Sequence, residues 1–288
     1  MGKNRLSLAI LMAIPLLGIS AAPMSASAAI GVNISVGFAP PPLPVYVQPA
    51  IPAPGYLWMP GYWAWNGADY YWVPGTWVMP PRAGLLWTPP WWGWADGVYA
   101  WHAGYWGAHI GFYGGINYGF GYFGRGYEGG YWDHDRFFYN STVNNIRNVN
   151  ITNVYNKTVV VNQTVNRISF NGGSGGVSAR PTGEERAALR EPHVQPTVYQ
   201  TQHLNAARGN TGLRASFNHG QPGITATSFA GRFNNGGNVA REPAGRREFS
   251  PPPPRGGEFR PAPVGENQGE RREPPRRDED REKREHRN

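Results

Sequence analysis

The sequence predicts a mainly β protein: a small aromatic-rich β-meander of short hairpin repeats, with two short helices and long low-complexity or disordered segments. Three observations lead there. A tryptophan motif recurs every 14 to 15 residues between positions 54 and 106. Turn-forming dipeptides stand at fixed places within and between its copies. The chain also holds 39 glycines and 28 prolines among 288 residues, a level at which low complexity competes with a packed fold.

Residues 1–28 read as a secretory signal peptide. Lys3 and Arg5 precede an apolar run from Leu6 to Ile19, and Ala26-Ser27-Ala28 offers small residues for cleavage. The run is too short to span a bilayer and contains Pro15, so membrane insertion is not expected. Without cysteine, the exported chain has neither disulfides nor a lipid-anchor thiol. The expected location is periplasmic, outer-membrane-associated or extracellular. Residues 29–53, rich in proline, read as a linker.

Residues 54–106 carry four copies of one spacing. Tyr56, Trp58 and Trp63 are followed by Tyr70, Trp72 and Trp77, then Leu85, Trp87 and Trp92, then Tyr99, Trp101 and Trp106. Copies one and three share an extra tryptophan, Trp65 and Trp94, so a 29-residue double unit overlies the single one. Within the first two copies stand Pro60-Gly61 and Pro74-Gly75, which fit the centre of a type II turn. The later copies have Pro89-Pro90 and Ala103-Gly104 at that place. Asn66-Gly67 and Asp96-Gly97 join the units, as in tight hairpins. A Pro-Gly hairpin sets Trp58 opposite Trp63, with Tyr56 and Trp65 on the same face. The opposite face, with Leu57, Met59, Tyr62 and Ala64, is also apolar, so both faces need cover.

Burying one indole contributes up to roughly 5 kcal/mol. Eleven of the twelve tryptophans fall in this segment, enough to hold a small domain together without disulfides. The alternative is an exposed ladder of Trp63, Trp77, Trp92 and Trp106 that stacks on sugar rings. A third possibility is self-association of an exposed face.

The motif Tyr-x-Trp-x-Pro-Gly-x-Trp resembles the YXWGXW (WXXGXW) repeat of small exported bacterial proteins. The stretch YGGINYGFGYFGRGYEGGYW and the later Asn-Val run resemble the region that follows those repeats. The resemblance implies a cell-envelope protein of Gram-negative-type bacteria and no established activity.

Residues 107–139 alternate glycine with aromatics. Gly107, Gly111, Gly115 and Gly119 are spaced by four, but glycine at this density disfavours helix by about 1 kcal/mol each. An aromatic loop packing on the repeats is expected. Asp133-His134-Asp135 reads as a solvated turn. Residues 140–171, rich in asparagine and valine, read as β structure centred on Val159-Val160-Val161 and as a candidate self-association segment. Residues 172–239 are loops with two helices. Thr182 with Glu185 and Thr197 with Gln200 have capping-box spacing, and the second helix ends at Gly209. Residues 240–288 read as a disordered Arg/Pro/Glu tail, in which 13 basic and 11 acidic side chains from Arg241 onward nearly cancel.

Net charge is +8, which favours anionic partners, yet the balanced tail and export argue against nucleic acid. No catalytic residues, metal ligands or cofactor motif are identified: there is no cysteine nucleophile, phosphate loop or close-spaced histidine set, and His193, His203 and His219 are too dispersed. The expectation is a non-enzymatic protein acting on an unknown envelope component, a glycan or another protein.

Overall fold

The computed structural model describes residues 34–146, 151–159 and 167–233. Strand outweighs helix, 30% against 13%, so the mainly β expectation holds. Strand β1 (Ser35–Val36) precedes the repeats, whose strands are β2 (Leu57–Met59), β3 (Tyr62–Trp65), β4 (Tyr70–Val73), β5 (Gly75–Val78), β6 (Leu86–Thr88), β7 (Trp91–Ala95), β8 (Val98–His102) and β9 (Tyr105–Gly107). Then come β10 (Asn117–Gly119), β11 (Tyr122–Phe123), β12 (Gly130–Asp133), β13 (Arg136–Asn140), β14 (Val154–Tyr155) and β15 (Phe170–Asn171). Helices α1 (Gly183–Ala188), α2 (Val198–Gly209) and α3 (Ala215–Asn218) precede β16 (Ala226–Thr227).

Short hairpins form, but the repeat is not a simple meander of them. β3 pairs with β4, placing Trp63 opposite Trp72, while β2 pairs with β5, placing Trp58 opposite Trp77. Copies one and two are therefore the two arms of one long hairpin, bent in each arm at Pro60-Gly61 and Pro74-Gly75. Copies three and four repeat the arrangement: β7 pairs with β8, Trp92 opposite Trp101, and β6 pairs with β9, Trp87 opposite Trp106. The 29-residue double unit is the folding unit. The expected pairing of Trp58 with Trp63 is wrong, because the Pro-Gly dipeptide turns a corner within an arm and does not reverse the chain.

The tips follow turn chemistry closely. Asp96 (φ 50°) and Gly97 (φ 84°) both take positive φ between the paired Ala95 and Val98, the two-residue turn that matches strand twist. The first tip is looser. Asn66 Oδ1 accepts from the backbone N–H groups of Ala68 at 2.9 Å and Asp69 at 2.8 Å, and Gly67 sits at φ 107°.

Because each arm bends, its two tryptophans enter different cores, and the rings do not share one face. Trp63, Trp72 and Trp92 join Tyr70, Tyr113 and Tyr122 in one cluster. Trp58, Trp77, Trp87 and Trp106 join Phe137 and Tyr139 in another. The first cluster links the hairpin tips: Trp92 Nε1–H donates to Trp63 O at 2.8 Å, across the 29-residue period.

Both faces are covered, as an all-apolar sheet requires. Helix α2 packs on β4, where Ala207 joins the first cluster and Arg208 Nε–H donates to Tyr71 Oη at 3.3 Å, and Leu213, in the 3-10 turn after the helix, joins the same cluster. Both predicted capping boxes are present, at Thr182 with Glu185 and Thr197 with Gln200. Helix α3 carries no side-chain cap and was not foreseen. The glycine-aromatic segment forms strands and loops against the cores, with Tyr113, Tyr118 and Tyr122 buried. His134, at φ 55°, turns the chain between β12 and β13 as expected.

Two expectations need correction. Residues 34–53 are no linker: β1 pairs with β8, and Val36, Leu43, Gln48 and Ile51 are buried. A proline-rich segment has few N–H groups of its own to satisfy and offers carbonyls to its neighbours. In the Asn/Val segment, Val159 lies outside any strand and residues 160 and 161 fall outside the described residues. The segment instead supplies β14 and β15, which add as parallel edges to β13 and β7. The proposed signal peptide and tail lie outside the described residues.

Candidate functional site

The motif tryptophans form four cross-strand pairs of nearly one geometry. Ring centroids are 5.2 Å apart for Trp58–Trp77, 5.3 Å for Trp63–Trp72, 5.3 Å for Trp87–Trp106 and 5.0 Å for Trp92–Trp101, with interplanar angles of 54–68°. The Trp58–Trp77 and Trp63–Trp72 pairs meet edge to face and the other two are tilted; an edge-to-face pair adds about 0.5–1.5 kcal/mol beyond area burial.

The glycine of the motif has a steric cause. A Cβ on Gly61 would stand 2.2 Å from Trp72 Cζ2 and 2.9 Å from the Gly75 nitrogen. A Cβ on Gly75 would stand 2.5 Å from Trp58 Cζ2 and 3.1 Å from the Gly61 nitrogen. The two corners face each other, and the first tryptophan of each arm rests on the glycine of the other. Neither glycine, nor Gly104, takes positive φ, so the expected type II turn is absent; the requirement is for space, not for φ.

In the second hairpin Trp87 rests on Gly104, whose Cβ would meet Cζ2 at 2.6 Å. The reciprocal seat is filled by Pro90. Its ring denies Trp101 the place that Trp72 has on Gly61, and Trp101 is half-buried where Trp72 is 1% exposed.

Four indole N–H groups are tied to segments outside the repeats, while those of Trp58 and Trp87 are buried. Trp63 donates to Pro42 O at 3.1 Å, Trp77 to Pro49 O at 2.8 Å and Trp72 to Thr225 O at 3.0 Å. Trp106 donates to Gln200 Oε1 at 2.7 Å, and that same oxygen accepts from Thr197 N–H to close the capping box. Tyr46, on the proline-rich segment, sits between the corners. Its hydroxyl accepts from Gly61 N–H at 3.2 Å, and its ring lies 6.4 Å from Trp58 and 6.3 Å from Trp72. Burial pushes that hydroxyl's pKa well above its ordinary value.

His203 is fully buried against the second corner. Gly231 N–H donates to Nδ1 at 2.8 Å, so the ring proton sits on Nε2 and is donated to Pro74 O at 2.7 Å. Burial pulls its pKa from 6.5 down to about 4, partly offset by the bond to Pro74. Tyr46, Gln200 and His203 were not legible as site residues; only the capping-box spacing marked Gln200. His193 stacks on Tyr105 at 3.6 Å and His219 caps α3, so the three histidines do not meet.

These positions decide what the motif is. Residues 54–78 match the WXXGXW repeat family in two copies, the first bent hairpin alone. The chain carries the WXXGXW repeat. No curated protein and no solved structure matches the chain significantly. Copies three and four lie outside the match; copy three departs from the motif at Leu85 and Pro90, whereas copy four keeps Tyr99, Trp101, Gly104 and Trp106. In this WXXGXW-repeat domain the invariant spacing encodes a corner: two tryptophans bracket a bend whose glycine receives the tryptophan of the paired repeat.

The candidate site residues are core. Trp58, Trp63, Tyr70, Trp72, Trp77, Trp87, Trp92, Tyr99 and Trp106 are each at most 6% exposed, while Tyr56 and Trp101 are half-buried. Trp63, Trp77, Trp92 and Trp106 present no free ring face for a sugar, so the ladder reading does not fit. Among the described residues no group of His, Asp and Glu is placed to hold a metal, and no helix is long and apolar enough to cross a membrane.

One expected outcome follows from the shared oxygen of Gln200. Gln200→Ala removes the reciprocal bond of the capping box, while Thr197 Oγ1 still caps the helix, and leaves the Trp106 N–H buried without an acceptor, at a combined cost of about 2 kcal/mol. Thr197→Ala removes the cap alone and costs about 1 kcal/mol. Urea unfolding of the two variants measures the difference.

Proposed function

We propose that this is a non-enzymatic, exported cell-envelope protein whose tryptophan-repeat domain is a rigid scaffold with a structural or interaction role. The observation that carries this reading is the burial of the motif itself. Nine of the eleven signature side chains serve the core, so the repeat builds a stable domain and leaves recognition to surfaces that the scaffold displays. A cysteine-free secreted chain needs such a core, since no disulfide stabilises it. The layout of residues 1–28 supports export, and the partner is an envelope component, a glycan or another protein.

Two measurements test the reading. Tryptophan emission of the mature chain is expected to be blue-shifted and poorly quenched by acrylamide; red-shifted, freely quenched emission would mean that the indoles face solvent and the scaffold reading fails. Cell fractionation with N-terminal sequencing is expected to recover the chain outside the cytoplasm, starting at Ala29. A cytoplasmic chain retaining Met1 would contradict export.

A further inference from the structure

The twelfth tryptophan lies outside the repeats and lines a cavity. Trp132, on β12, is half-buried and fixed by donation from Nε1–H to Leu85 O at 2.9 Å and by edge contact with Phe137 at 5.2 Å. Beside it opens a cavity of about 440 Å³, within the roughly 300–1,000 Å³ of small-molecule sites. Its apolar wall is Pro54, Met79, Pro80 and Trp132. Met79 is 47% exposed.

The polar lining has a sign. Arg82 and Arg136 face the cavity with a single carboxylate, Asp135. The Arg82 side chain is exposed and makes no hydrogen bond or ion pair with any described residue. Arg136 donates from Nη2 to Asn153 Oδ1 and lies 5.7 Å from the Phe138 ring centroid, which holds its guanidinium in place and leaves its charge uncompensated. Two guanidiniums against one carboxylate leave a positive balance beside a fixed indole.

We infer that this cavity binds a sugar unit bearing an anionic group, as in an acidic polysaccharide, the C–H face of the ring lying on the Trp132 wall and the anion held by Arg82 and Arg136. The inference rests on the scaffold reading above and supplies its ligand class. Guanidinium forks match planar carboxylates and phosphate oxygens, whereas a neutral sugar leaves both charges unmet. An aromatic and aliphatic wall suits the apolar face of a sugar. Nucleic acid fits poorly, because its affinity grows with a run of phosphate contacts and only two cations line this cavity.

Calorimetric titration of the full mature chain with trigalacturonate, glucose 6-phosphate and cellotriose tests the assignment. An anionic probe is expected to bind and cellotriose not to; whichever anion binds identifies carboxylate or phosphate as the group held. Arg82→Gln, an exposed change that spares the fold, is expected to weaken that binding roughly tenfold, and Arg82→Gln with Arg136→Gln to abolish it. Asp135→Asn is expected to tighten it about threefold through removal of a like charge. Cellotriose binding as tightly as the anions, binding by neither anion, or unchanged binding in Arg82→Gln overturns the inference. Tryptophan quenching is independent of these titrations, so an empty cavity with protected indoles sinks only the ligand, not the scaffold.

Discussion

Gly61→Ala is expected to cost about 3 kcal/mol or more, the upper end for overpacking, because neither obstacle can yield. The new methyl meets Trp72 Cζ2 at 2.2 Å, and Trp72 is 1% exposed with its N–H committed to Thr225 O. It also meets the Gly75 nitrogen at 2.9 Å, which belongs to the facing corner's backbone. For a domain of this size the loss lowers Tm by about 6–12 °C. Gly183→Ala is the control, since nothing lies within 4 Å of the added methyl and alanine favours the first turn of α1. Trp72→Phe removes the blocking atom, so the double variant Gly61→Ala, Trp72→Phe is expected to be more stable than the sum of its single changes by about 1 kcal/mol or more. Equal melting temperatures for Gly61→Ala and Gly183→Ala would show that the motif glycine is not a seat for the tryptophan.

Acid is expected to weaken the fold through His203. Its folded-state pKa, about 4, lies below the ordinary 6.5, so the unfolded chain binds the proton first. The stability contributed by the neutral ring is complete above pH 6.5 and is lost as pH falls through the window from 6.5 to about 4. At about 1.4 kcal/mol per pH unit the loss reaches about 2–3 kcal/mol by pH 4.5. Protonation also ends the acceptance at Nδ1 from Gly231, which ties the chain after β16 to the second corner. Carboxylates titrate in the same range, so the comparison is with His203→Gln. That variant is less stable at pH 7, but its loss between pH 7 and pH 4.5 is smaller than the wild type's by about 2–3 kcal/mol. Parallel pH profiles in urea unfolding would refute the role assigned to His203.

The parts of the fold that local chemistry determines were legible in the sequence. Asp96-Gly97 turned as its dipeptide demands, and Thr182 and Thr197 started helices through capping boxes whose partners lie three residues away. The 29-residue period marked the real unit, through Trp65 and Trp94, before any pairing was known. What local chemistry left open was whether Pro-Gly reverses the chain or bends it. Both outcomes put proline before glycine, and the choice rests on Trp72 and Trp58 occupying the glycine seats from the opposite arm. The proline-rich segment was misread for a related reason. Its composition resembles a linker, and its role appears only once Trp63 and Trp77 are seen to need the carbonyls of Pro42 and Pro49. The cavity at Trp132 depends on Met79 and Arg136 meeting across more than fifty residues, which no spacing encodes.

The central claim is that two repeats fold as one bent hairpin with their tryptophans paired between arms. Indole-to-indole nuclear Overhauser effects in the labelled mature protein test it most directly. The structure predicts cross-peaks between Trp58 and Trp77 and between Trp63 and Trp72, whose centroids lie 5.2 and 5.3 Å apart. Cross-peaks joining Trp58 to Trp63 and Trp72 to Trp77 in their place would mean that each repeat closes on itself, and the paired-corner account would be wrong.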